Sequence, residues 1–218
     1  MKNNLTICLA GSTGAVGNHV LQYLNQENQV SKIITLTRKP TSQIKSKEEN
    51  QVINFDQIKS LNIKADVFIC CLGTTIKVAG SQVAFKKVDY DYVVDFAKLA
   101  ESASAEKFLV VSSVGADEKS SVFYSRTKGE MESAIKKLNI PAIEIFQPSL
   151  LLGERNEARA GENFAKVLAP LLNPLLIGSM KKYRAIEASD VAKALVARAL
   201  NQDTGLKTFA SDQIKKLF

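Results

Sequence analysis

The sequence predicts an α/β fold, a mainly parallel, doubly wound sheet with helices on both faces and a small C-terminal lobe. Three observations carry that prediction. Strand and helix patterns alternate along the whole chain. The strands read as short, continuous apolar runs, which suits strands covered on both faces. The first strand runs into a glycine-rich turn, Gly11-Ser12-Thr13-Gly14-Ala15-Val16-Gly17, that opens the first helix.

Taken in order, Leu5 to Ala10 is a buried strand, and Ala15 to Asn25 carries Val16, Val20 and Leu24 at helical spacing. Ile33 to Thr37 is a β-branched second strand, Thr41 to Asn50 a polar loop or frayed turn, and Val52 to Phe55 a short third strand. Ala65 to Leu72 is a strong strand. From Ser81 to about Ser102, Val88, Tyr92, Phe96 and Leu99 recur at helix intervals. Phe108 to Val111 is a strand, Phe123 to Leu138 a helix and Ala142 to Phe146 a strand. Beyond Pro148 the rhythm changes, with a charged loop, a helix near Glu162 to Leu168 and two prolines. Regular structure returns at Arg184 to Glu187. A helix capped by Ser189 or Asp190 runs to Leu200, and a last strand and helix follow. The chain reads as one domain, 1–218, with a substrate lobe at about 149–183 over the C-terminal edge of the sheet, where ligands bind in open α/β folds.

Composition narrows the function. With 45% hydrophobic and 23% charged residues over 218 positions, the chain is an ordinary globular one. The net charge of +7 suits an anionic ligand, but the lysines are dispersed, so no nucleic-acid partner is expected. No N-terminal signal pattern and no long apolar run occur, so the expected location is cytoplasmic, away from membranes. Three cysteines fit a reducing compartment. Cys70 and Cys71, neighbours on a strand, point to opposite faces rather than forming a redox pair. The single histidine, His19, reads as a helix surface residue and no metal site is expected.

The G-x-x-G-x-x-G spacing between strand and helix is a dinucleotide-binding pattern. Its glycines let the backbone turn tightly and approach a pyrophosphate, which the helix N-terminus then attracts. The second strand ends Leu36-Thr37-Arg38-Lys39, without the acid that binds the ribose hydroxyl of NAD. A guanidinium at Arg38 would pair instead with a 2′-phosphate, so NADP(H) is expected over NAD(H). Asp56 is placed by analogy with related folds to touch the adenine. Leu72, Gly73 and Thr74 at the end of the fourth strand would let the cofactor lie close to the backbone.

Tyr124 and Lys128 sit four apart on the helix after the fifth strand, in line with Met131, Ile135 and Leu138. A lysine on an apolar stripe either faces a polar site or snorkels to water, because an unpaired buried ammonium is costly.

The glycine loop, Ser112-Ser113 and Tyr124-x-x-x-Lys128 together resemble the short-chain dehydrogenase/reductase superfamily, with its Rossmann fold. Val88-Asp89-Tyr90-Asp91-Tyr92-Val93, Ser112 to Asp117 and Tyr124 to Glu130 look more narrowly like the atypical branch containing the Tat-interacting protein. The resemblance implies NADPH binding, a Ser-Tyr-Lys catalytic set and a nicotinamide wall near Pro148 and Ser149. Gln147-Pro148-Ser149 departs from the branch's usual Arg-Pro-Gly. Ser113 is favoured over Ser112 as the hydroxyl that orients a small carbonyl or alcohol substrate. A non-catalytic NADP(H)-sensing regulator, an epimerase or dehydratase, and a homodimer or protein partner remain alternatives.

Overall fold

A computed structural model describes residues 3–41, 45–152 and 178–218. Its strands are β1 (Leu5–Ala10), β2 (Val30–Thr37), β3 (Glu48–Val52), β4 (Val67–Cys70), β5 (Lys107–Val111), β6 (Ala142–Gln147), β7 (Leu151–Leu152), β8 (Ile186–Glu187) and β9 (Gly205–Ala210). The helices are α1 (Ala15–Gln26), α2 (Ile76–Ala79), α3 (Gln82–Lys86), α4 (Tyr92–Ser102), α5 (Phe123–Ile135), α6 (Ala188–Leu200) and α7 (Ser211–Ile214).

Among the described residues, seven strands form one sheet in the order β3-β2-β1-β4-β5-β6-β9, and β7 pairs with β8 apart from it. Every pairing is parallel. Alternation along each strand sorts the core into two layers. Ile7 and Leu9 of β1 pack with Val20 and Leu24 of α1 and with Val191 and Leu195 of α6. Cys8 and Ala10 face the other way, with Phe96 of α4 and Met131 and Ile135 of α5. Cys70 joins the second layer and Cys71 packs on the first, as neighbours on a strand should. Burial pushes the Cys70 thiol up to about 12, which leaves it a core residue rather than a reactive one.

Three local expectations need correction. The third strand is Glu48–Val52, not Val52 to Phe55. A polar EENQV segment can be a strand because it is the sheet's edge, held by its ladder to β2 and by Asn50, whose amide donates to Thr35 and Thr37. Phe55 instead begins a 3₁₀ turn, Phe55–Ser60, with the Asn54 side chain accepting from the Asp56 N–H. The helix from Ser81 contains a π turn, Lys87–Asp91, between α3 and α4. That wider turn shifts the register of its first half: Phe85, Asp89 and Val93 are buried while Val88 and Tyr92 are half-buried, and Phe96 and Leu99 are buried as expected. Helix α6 starts at Ala188 with no side-chain cap, so neither Ser189 nor Asp190 caps it. Most of the expected lobe, including Glu162 to Leu168, lies outside the described residues.

Candidate active site

The strand order reverses between β1 and β4, and the crevice at that switch point is where open α/β sheets hold ligands. The glycine loop lines it from Gly11 to Gly17. Gly11 has φ +87°, and a Cβ there would stand 2.6 Å from the Cys71 carbonyl, so only glycine fits against the end of β4. A Cβ on Gly17 would lie 2.1 Å from the Gly11 oxygen, which is how the third glycine seats α1 on the loop. Thr13 and Gly14 are exposed, with Ala15 and Val16 beginning α1. Ser12 is buried, and its hydroxyl has no partner among the described residues. A buried, unsatisfied hydroxyl in a loop whose N–H groups open a helix fits a phosphate oxygen.

Arg38 is exposed just past β2, near enough to Tyr92 to act on its charge. Asp56 is also exposed, and its carboxylate accepts from the Tyr92 hydroxyl at 3.0 Å and pairs with Lys87 at 2.7 Å. The Lys87 hydrogen bond, more than any other contact, holds the Asp56 carboxyl below its usual range. Asp56, Lys87 and Tyr92 line an open groove of about 300 Å³.

Past β4, Leu72 and Thr74 are half-buried and Gly73 is exposed. Below Gly73 lies an ion pair: Lys128 Nζ is 2.7 Å from Asp89 Oδ1, and the two side chains are 4% and 1% exposed. A Cβ on Gly73 would come within 3.4 Å of Asp89 and 4.0 Å of Lys128. The second Asp89 oxygen accepts from the Thr74 N–H at 2.8 Å. Lys128 therefore does not snorkel to water. Burial, the largest single effect, would depress its ammonium, but the Asp89 charge and hydrogen bond, together with Tyr124 and Cys70, outweigh it and hold Lys128 above its usual value. Tyr124 is half-buried one turn back, its ring against Phe85 at 5.5 Å between centroids.

The serine doublet divides. Ser112 is buried and donates to Glu132 Oε1 at 2.5 Å, whereas Ser113 is half-buried and makes only a 3.4 Å contact with the Val114 carbonyl. Glu132, itself 3% exposed, also accepts from Gln147 Nε2 at 2.9 Å. It ties α5 to the ends of β5 and β6. Pro148 is buried, and its carbonyl accepts the Val114 N–H at 2.9 Å. The Ser149 hydroxyl is turned to the Arg184 carbonyl and to Ser211.

Asp89 and Glu132 are the site residues that sequence reasoning missed. Each had a signal. Asp89 lies four residues after Phe85 and Glu132 four after Lys128, so both are acids on apolar stripes.

Residues 7–208 match the NAD dependent epimerase/dehydratase family. The chain belongs to that family. Its membership accords with the parallel sheet and the glycine cradle at the switch point. Among its relatives, mitochondrial protein FMP52 of Lodderomyces elongisporus is 36% identical over all of this chain and 94% of its own length. Protein HTATIP2 of Rattus norvegicus is 32% identical over 75% of this chain and 69% of its own, in line with the atypical short-chain dehydrogenase/reductase branch. Human epimerase family protein SDR39U1, solved with NADPH, shares the fold with a TM-score of 0.65 and 16% identity, over 94% of this chain and 75% of its own. Other solved structures of similar fold hold NAD. The family member described here thus has an NAD(P)-binding fold. The expectation of a cytoplasmic location does not stand, because the FMP52 relatives are named mitochondrial. No described helix is long and apolar enough to cross a membrane.

Proposed function

We propose that the chain is an NADP(H)-dependent oxidoreductase acting on a small carbonyl or alcohol substrate. The observation that carries this is the placement of a buried, charged Lys128 one turn from Tyr124, directly beneath Gly73 at the mouth of the crevice.

In this reading Gly11 to Gly17 hold the pyrophosphate through backbone N–H groups and the Ser12 hydroxyl. Arg38 would take the 2′-phosphate, Asp56 would touch the adenine, and Pro148 and Ser149 would flank the nicotinamide. A nicotinamide held there would supply or accept the hydride. Tyr124 donates its hydroxyl proton to the substrate oxygen as that oxygen gains charge, and takes it back in the reverse direction. Ser113, whose hydroxyl is not committed to Glu132, hydrogen-bonds the same oxygen and orients it. Lys128 keeps ammonium N–H groups beyond the one given to Asp89, enough to reach the nicotinamide ribose.

The test is Tyr124→Phe, assayed on a carbonyl panel at the NADPH absorbance band, with NADPH affinity measured alongside. Retained binding with turnover reduced by roughly 10²–10⁴-fold is expected of a lost general acid. Wild-type turnover in that variant would dismiss the mechanism, and a chain that binds NADPH but turns over nothing on the panel would favour the sensing alternative.

A further inference from the structure

We infer that Asp89 is a positioning residue for Tyr124: it pins the Lys128 ammonium beneath Gly73 and cancels most of its charge, so that Tyr124 meets a neutral ion pair rather than a free cation. The inference rests on the Tyr124 site proposed above and alters the part Lys128 plays in it.

The geometry comes from three elements. The π turn Lys87–Asp91 carries Asp89 inward, where its side chain is 1% exposed. One carboxylate oxygen takes Lys128 of α5 at 2.7 Å, and the other takes the Thr74 N–H at the end of β4 at 2.8 Å. The ammonium is thus located relative to the crevice by a rigid, doubly engaged anion. Two opposite unit charges at that distance form a dipole, and its field on a third group is far weaker than that of a lone ammonium. The neighbours do not restore the imbalance. The Cys70 thiol of β4, which also feels the pair, is pushed up by burial and stays neutral near pH 7. On the π turn and α3, Lys87 is paired with Asp56 and Lys86 with Glu130, and Asp91 is exposed. On α5, Glu132 is taken up by Ser112, Gln147 and Lys136. Among the described residues, Tyr124 therefore meets a net-neutral Lys128–Asp89 pair.

The experiment is an alkaline titration of phenolate absorbance without cofactor or substrate, in which the step lost on Tyr124→Phe reports Tyr124 alone. Asp89→Asn keeps an acceptor for Thr74 but removes the charge, and it should move that step to lower pH by about one unit or more. Should Asp89→Asn fail to fold around an unpaired ammonium, the double variant Asp89→Asn/Lys128→Met leaves no lone charge. In it the step should stay within about half a unit of wild type, because a net-neutral pair has been replaced by a neutral one. A rise of about one unit or more in the double variant is what loss of a free cation gives, and it would overturn the inference. Since the titration needs no cofactor, wild-type protein that fails to bind NADPH counts against the proposed function and leaves this result standing.

Discussion

The Ser112 hydroxyl donates to Glu132 across 2.5 Å inside the protein, and its neighbour Ser113 has no comparable partner. Adjacent residues at a strand end face opposite ways, so one serine is committed to the fold and the other keeps its hydroxyl uncommitted. Ser112→Ala should leave the buried Glu132 short of a donor and lower unfolding free energy by about 1–3 kcal/mol. Ser113→Ala should change stability by less than about 0.5 kcal/mol and lower kcat roughly a hundred-fold. Urea unfolding and steady-state kinetics on both variants check the assignment, and the opposite pattern would exchange the two roles.

Arg38 stands exposed at the end of β2 with no acid beside it in sequence. Loss of one charge-assisted phosphate contact costs on the order of 1.5–3 kcal/mol. Arg38→Ala should therefore weaken NADPH binding by roughly ten-fold or more and leave NADH nearly unchanged, as read by calorimetry. Equal wild-type affinity for the two cofactors would remove the basis for the preference.

Far from the crevice, Glu144 of β6 is 1% exposed and is held by Arg198 of α6 through Nε at 2.8 Å and Nη2 at 2.5 Å. Arg198→Met strands that carboxylate in the core. The expected loss is roughly 3–5 kcal/mol, typical of breaking a buried pair from one side. Thermal or urea unfolding measures it, and a loss under about 1 kcal/mol would mean that water or Lys107 takes over the carboxylate.

Acid stability offers a separate check. Hydrogen bonding from Lys207, then from Arg198, lowers the Asp203 carboxyl from 3.8 to about 2. A folded value below the unfolded one gives stability that is present above pH 3.8 and lost as pH falls through about 2. Asp203→Asn should flatten the dependence of the unfolding midpoint on pH in that window. Identical acid limbs in the two proteins would show that the ion pairs exert no net effect.

The sequence by itself determined the parallel sheet, the glycine cradle and the Tyr124–Lys128 stripe. Each depends on local rules: apolar runs of strand length, glycine where a Cβ would strike backbone, and helical spacing of three and four. Tertiary structure alone decided what those rules leave open. A polar segment, Glu48–Val52, became a strand because an edge needs only a backbone partner. The π turn set Asp89 inward in place of Val88, a register change of one residue that periodicity does not register. Lys128 found its counter-charge 39 positions back in the chain, and Ser112 found Glu132 20 positions ahead. Burial of a charge is tolerable only beside its partner, and which residues become partners is fixed by how helices pack across a sheet, not by their order along the chain.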